Sequence, residues 1–141
     1  MGETGDDFQA RLNGRFQGML HWHQLDALWQ KVKPGTWYVY QIGEPVPTAP
    51  LRGTALAQRV EALDALLRRE HDLDYCGIVY ADDAEHPTLI KVYDPNRIGS
   101  SCSSGPAAPP GWLFSLTPPH EIAPHAPVTQ SRRRWWQRFT G

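Results

Sequence analysis

The residue best suited to covalent chemistry is Cys102, in the run Ile-Gly-Ser-Ser-Cys-Ser-Ser-Gly-Pro. A thiol in such a loop is accessible, and a neighbouring base would convert it into a nucleophilic thiolate. Four histidines are candidates for that base, but sequence alone does not place any of them beside the thiol: His71, His86, His120 and His125. Cys102 is therefore the candidate catalytic residue of a cysteine-dependent enzyme or redox protein. The alternative is an ordinary cysteine on a flexible surface loop.

The second cysteine, Cys76, begins an apolar run in which cysteine usually packs as a small hydrophobic residue. We therefore expect Cys76 to be inaccessible and Cys102 to be accessible to thiol reagents. A disulfide between them requires Cα atoms within about 7 Å, which the sequence leaves open.

Metal and cofactor chemistry lack an organising motif. His21 and His23 are two positions apart at the start of a predicted helix, where their side chains point in different directions. Acidic residues cluster at the ends of a predicted hairpin, but the calcium-loop spacing is absent, and solvated turn residues are the simpler interpretation. The Gly99–Gly105 loop lacks the lysine and the following helix of a phosphate-binding loop. We expect no metal and no cofactor.

The C-terminal segment combines arginine with indole side chains, which suits an anionic membrane surface, a single-stranded nucleic acid or an acidic protein. The alternative is a disordered terminus without a ligand. The candidate partner-binding residues are Arg132, Arg133, Arg134, Trp135, Trp136, Arg138 and Phe139.

Charge is distributed unevenly along the 141 residues. The formal net charge is −1, but residues 1–94 carry 9 Lys/Arg against 14 Asp/Glu, whereas residues 95–141 carry 5 Arg against one Glu. Neither part has the dense basic patch of a duplex-binding domain. No run approaches the ~20 apolar residues of a membrane-spanning helix, and the first 20 residues do not read as a signal peptide. The chain is expected to be cytoplasmic.

Periodicity predicts the elements that would position these residues. Apolar side chains at helical spacing predict a helix over 22–32 and another from Thr54, as its cap, to about His71. Residues 36–42 read as a strand covered on at least part of each face, and Tyr75 to Asp94 as an antiparallel hairpin. Trp112 begins the last strand after a Gly/Ser/Pro loop.

These elements predict an α+β two-layer sandwich, with a mixed, mostly antiparallel sheet of about four strands and two helices on one face. Helix residues Leu56, Val60, Leu63 and Leu67 should pack on that sheet. The predicted organisation is a frayed or disordered segment over 1–20, one domain over 21–119 and a disordered basic and aromatic tail over 120–141.

With no diagnostic motif, the preferred hypothesis is a small non-enzymatic accessory or protein-interaction module with an unidentified protein partner. The Arg/Trp tail would contact an anionic partner or surface. The alternative is the Cys102-dependent enzyme or redox protein. A histidine within hydrogen-bond reach of Cys102, in a concave pocket, would favour the enzyme.

Overall fold

Short strands and four helices make up the described part of the chain, which in this computed structural model comprises residues 4–95, 109–122 and 129–138. The elements in chain order are α1 (Thr4–Leu12), β1 (Gln17–Gly18), α2 (Trp22–Val32), β2 (Thr36–Gln41), β3 (Leu51–Arg52), α3 (Gly53–Glu70), β4 (Val79–Ala81), β5 (Leu89–Val92), β6 (Trp112–Ser115) and α4 (Gln130–Gln137).

The six strands form one sheet in the order β1-β4-β5-β6-β2-β3, and every neighbouring pair is antiparallel. This confirms the α+β class and places β2 and the β4–β5 hairpin in one sheet. The prediction of a mixed sheet with about four strands differs in detail. β6 lies between β5 and β2. The strands that precede and follow α3 in the chain, β3 and β4, are therefore not neighbours in the sheet. β1 and β3 have two residues each, which is too short for an alternating pattern.

One face of the sheet packs against α2 and α3. The predicted stripe of α3 is buried there, and Leu63 is 0% exposed. From the sheet, Val79, Ile90 and Phe114 point into the same core. Trp29 of α2 lies against Phe114, with 5.4 Å between ring centroids. The prediction that α3 covers this face is confirmed.

The opposite face is also covered, by α1. Phe8 is 0% exposed and packs in a second cluster with Tyr40, Leu89 and Leu113. The N-terminal segment thus differs from the frayed segment that we predicted. Glycine disfavours a helix interior, but α1 ends at Leu12, so Gly14 and Gly18 both lie outside it.

Helix ends test the sequence patterns most closely. The prediction for α2 is confirmed at both ends. α3 begins at Gly53 with Arg52 as its N-cap, so Thr54 lies inside the helix and does not cap it. Gly53 has φ +60°, a conformation that favours glycine. Among the described residues, no helix is long and apolar enough to cross a membrane.

Candidate functional site

The C-terminal helix α4 packs against the domain. Thr129 caps it by accepting a hydrogen bond from the Arg132 amide at 3.2 Å. Trp136 is 5% exposed and belongs to the main core. Above its ring, the Arg59 guanidinium carbon lies 4.4 Å from the centroid. This arrangement differs from the disordered tail that we predicted. Burial of the large Trp136 side chain stabilises the docked helix.

Arg132 holds α4 to the domain through two carboxylates. Its Nε donates to Asp94 Oδ2 at 3.1 Å, and its Nη2 donates to Asp94 Oδ1 at 3.0 Å and to Glu70 Oε1 at 2.9 Å. The side chain is 11% exposed. Burial acts to lower the pKa of Arg132, but the hydrogen bonds and charges of Glu70 and Asp94 outweigh it and raise the pKa. This guanidinium is therefore engaged within the molecule.

The other tail arginines divide between the domain and solvent. Arg133 Nε donates to Glu44 Oε2 at 2.7 Å. Arg134 and Arg138 are exposed, and Arg134 bonds only loosely to Gln130, at 3.4 Å. Phe139 lies outside the described residues. Binding of an anionic partner by the tail stays a prediction, with Arg134 and Arg138 as its solvent-facing members.

Of the two cysteines, the structure describes only Cys76. Cys102 lies outside the described residues, so its accessibility and its surroundings stay a prediction. Cys76 is 0% exposed, as predicted, and burial raises the pKa of its thiol. His71 bonds to the Cys76 carbonyl oxygen through Nε2 at 2.8 Å and not to the sulfur. Cys76 therefore lacks the accessible thiolate of a nucleophile.

His21 and His23 stack with ring centroids 5.4 Å apart, so the expectation that their side chains point in different directions is wrong. Across the ranges that the structure describes, no three His, Cys, Asp or Glu residues are grouped to hold a metal ion.

The hairpin carboxylates stabilise the β4–β5 turn. Asp82 accepts from the Thr88 and Leu89 amides at 2.8 and 3.1 Å. Asp83 accepts from the Glu85 amide at 2.8 Å, and this bond and one from His86 lower the pKa of Asp83. A structural role in the turn therefore accounts for both residues.

A surface that sequence reasoning missed lies beyond the C-terminal end of α3. Three large hydrophobic side chains are about half exposed there: Leu20 at 55%, Leu73 at 48% and Tyr75 at 49%. With Trp22 and His71 they form what we call the aromatic corner. Leu73 lies between Asp72 and Asp74, and acidic residues at the ends of the hairpin suggest a solvated turn, so nothing in the sequence indicated an apolar surface here.

Hydrogen bonds and ring contacts fix the aromatic corner. Trp22 Nε1 donates to the Leu73 carbonyl at 2.9 Å. The His71 ring lies 6.2 Å from both the Trp22 and the Tyr75 rings. The Leu20 carbonyl accepts from the Cys76 amide at 2.8 Å. The exposed apolar groups are thus attached to a backbone already held in place.

The aromatic corner adjoins an open edge of the sheet. Pairing between the β1 and β4 segments continues past β1, because the Met19 amide donates to the Val79 carbonyl at 2.8 Å and leads directly to Leu20. β1 is the terminal strand, and both of its residues are exposed. Residues 16–20 contain neither proline nor charge.

The opposite edge of the sheet is chemically different. β3 follows a segment with prolines at 45, 47 and 50, and it contains Arg52. Proline and charge are the features by which natural sheets block pairing with a further strand. Of the two edges in the described sheet, the β1 edge has exposed residues with half-exposed apolar side chains nearby and lacks these blocking features.

Comparisons with protein-family models, curated proteins and solved structures found no match to this chain.

Proposed function

We propose that this protein is a non-enzymatic protein-interaction module whose ligand is an extended apolar segment of a partner polypeptide. The segment adds to the β1 edge and places its side chains on the aromatic corner. The observation that carries this proposal is the half exposure of Leu20, Leu73 and Tyr75 on a backbone held by hydrogen bonds.

An extended segment matches both parts of the surface. β1 is an exposed edge strand, and a strand added there would form main-chain hydrogen bonds with it. Alternate side chains of that strand point to the same face, so an apolar residue at every second position can contact the corner. Main-chain pairing would provide affinity, and the corner would provide selectivity for apolar side chains.

The contacts within the corner favour binding over chance exposure. Aromatic side chains dominate the energetics of interfaces because they bury a large area and lose few rotamers. Here the Trp22 indole is already fixed by its bond to Leu73, and Arg68 lies over its ring at 4.8 Å. Little further ordering is therefore required when a ligand binds.

The test is a selection of random peptides displayed on phage against the immobilised full chain. Enriched peptides are then synthesised, and their affinities are measured by fluorescence anisotropy. We expect apolar residues at alternate positions. The double variant Leu73→Ser/Tyr75→Ser should bind at least about tenfold more weakly, which corresponds to ~1.4 kcal/mol.

Leu116→Ser is the matched control, because Leu116 is 43% exposed but lies outside the corner, at the end of β6. This variant should bind as the original chain does. Equal affinity for the double variant, or no enrichment of peptides, would contradict the proposal. Concentration-dependent dimerisation that the double variant abolishes would instead assign the surface to a second copy of the chain.

A further inference from the structure

Lys91 occupies a half-buried position on the face of the sheet opposite α2 and α3. Its ammonium nitrogen lies 4.0 Å from the centroid of the Phe16 ring and 6.0 Å from the centroids of both Tyr80 and Tyr93. The two tyrosine rings themselves meet edge to face at 5.7 Å. We call Phe16, Tyr80 and Tyr93 the Lys91 cage.

Lys91 differs from the other lysines of the chain, Lys31 and Lys33, in its partners. Lys31 lies 3.7 Å from Glu85 and donates to the Ala84 carbonyl, and Lys33 lies 3.4 Å from Glu61. In the described part of the chain, Lys91 forms neither an ion pair nor a hydrogen bond. The rings of the cage are the neighbours of its ammonium group that the described residues supply.

This setting favours the neutral amine of Lys91. Burial lowers the pKa of Lys91. The Tyr80 and Tyr93 phenols lie beside it, and burial and Tyr80 raise the pKa of Tyr93. Neutral phenols supply no negative charge to retain the proton, whereas carboxylates adjoin Lys31 and Lys33. The ring faces attract the cation, but they do not replace its hydration.

We propose that Lys91 is a site of N-acylation, with an acyl thioester as the acyl donor. The neutral Nζ attacks the thioester carbonyl carbon and forms an amide C–N bond. The C–S bond breaks, the thiolate leaves with the electron pair, and the nitrogen gives its extra proton to water. The product carries no charge, and its acyl group lies beside three aromatic rings, where its apolar part has contacts that solvent does not provide.

The experiment treats the native full chain with S-acetyl-N-acetylcysteamine and follows the acetylation of each lysine by peptide mass spectrometry. Because each unit of lysine pKa changes the neutral fraction about tenfold, we expect Lys91 to react several-fold faster than Lys31 or Lys33. In urea, where the cage is lost, the three rates should converge. A Lys91 rate equal to or below the other two in the native chain would overturn the proposal.

Two variants separate cage chemistry from simple exposure. Lys91→Arg should remove the fastest phase of acetylation and leave the rates of Lys31 and Lys33 unchanged. Tyr80→Phe retains the ring and should retain the advantage of Lys91, whereas Phe16→Ala admits water and should reduce it. If Phe16→Ala fails to fold, the native rate order and the Lys91→Arg result still decide. A Lys91 rate that is unchanged in folded Phe16→Ala would contradict the role of the cage.

Discussion

Two aromatic parts of this chain, α4 and the aromatic corner, have opposite relations to solvent. α4 is rich in arginine and tryptophan, yet Trp136 is 5% exposed and Arg132 is held by Asp94 and Glu70. In the corner, Leu73 and Tyr75 lie among aspartates, and these large apolar side chains are about half exposed. The segment that resembles a binding surface in sequence is packed inward, and the segment that resembles a turn presents apolar groups.

The difference shows that residue type does not determine exposure where the partners are distant in sequence. The acceptors for Arg132 lie 38 and 62 positions away. In the corner, Trp22 donates to the Leu73 carbonyl 51 positions away. Both outcomes depend on which elements the sheet brings together. The contrast leads to three mutational predictions.

The largest effect should follow Trp136→Ala. Removing a buried tryptophan costs about 3 to 5 kcal/mol of the free energy of unfolding, because the side chain loses its contacts and leaves a cavity under α4. Urea denaturation followed by circular dichroism measures this change. A loss below about 1 kcal/mol would mean that α4 contributes little to the stability of the domain.

Arg132→Ala should have the next largest effect, lowering the free energy of unfolding by about 2 to 3 kcal/mol. This estimate lies below the 3 to 5 kcal/mol for a fully buried pair because Arg132 retains some exposure. Arg134→Ala, on the exposed face of the same helix, is the matched control and should change stability by less than about 0.5 kcal/mol. Arg132→Lys should restore little, since one ammonium does not reproduce the bidentate contact with Asp94. Equal effects at positions 132 and 134 would remove the distinction between docked and exposed arginines.

The smallest effect on stability should come from Tyr75→Ser. Tyr75 is 49% exposed, so we expect a change of about 0.5 kcal/mol or less in the same denaturation experiment. Its effect should appear instead in binding of the selected peptides. A loss of more than about 2 kcal/mol would show that the corner stabilises the fold and would weaken its assignment as a ligand surface.

The sequence predicted the longer elements because their apolar side chains repeat over several turns or pleats. α2, α3 and the β4–β5 hairpin follow from such patterns, as does the burial of Cys76. β1 and β3 escaped prediction, because two residues show no period and their pairing is set by neighbours in the sheet. The sequence did not predict the Lys91 cage either. Phe16 precedes β1 and Tyr80 lies in β4, so the pairing of β1 with β4 brings them together.

By itself, the sequence determined the α+β class, the α3 stripe that packs on the sheet, and the uneven distribution of charge, because each depends on nearby residues or on composition. The tertiary structure alone decided that β6 lies between β5 and β2, that Arg132 faces inward while Arg134 faces solvent, and that Leu20 and Tyr75 share one surface. The physical reason is that exposure and partner choice depend on contacts between residues far apart in the chain, and these contacts exist only once the sheet has assembled.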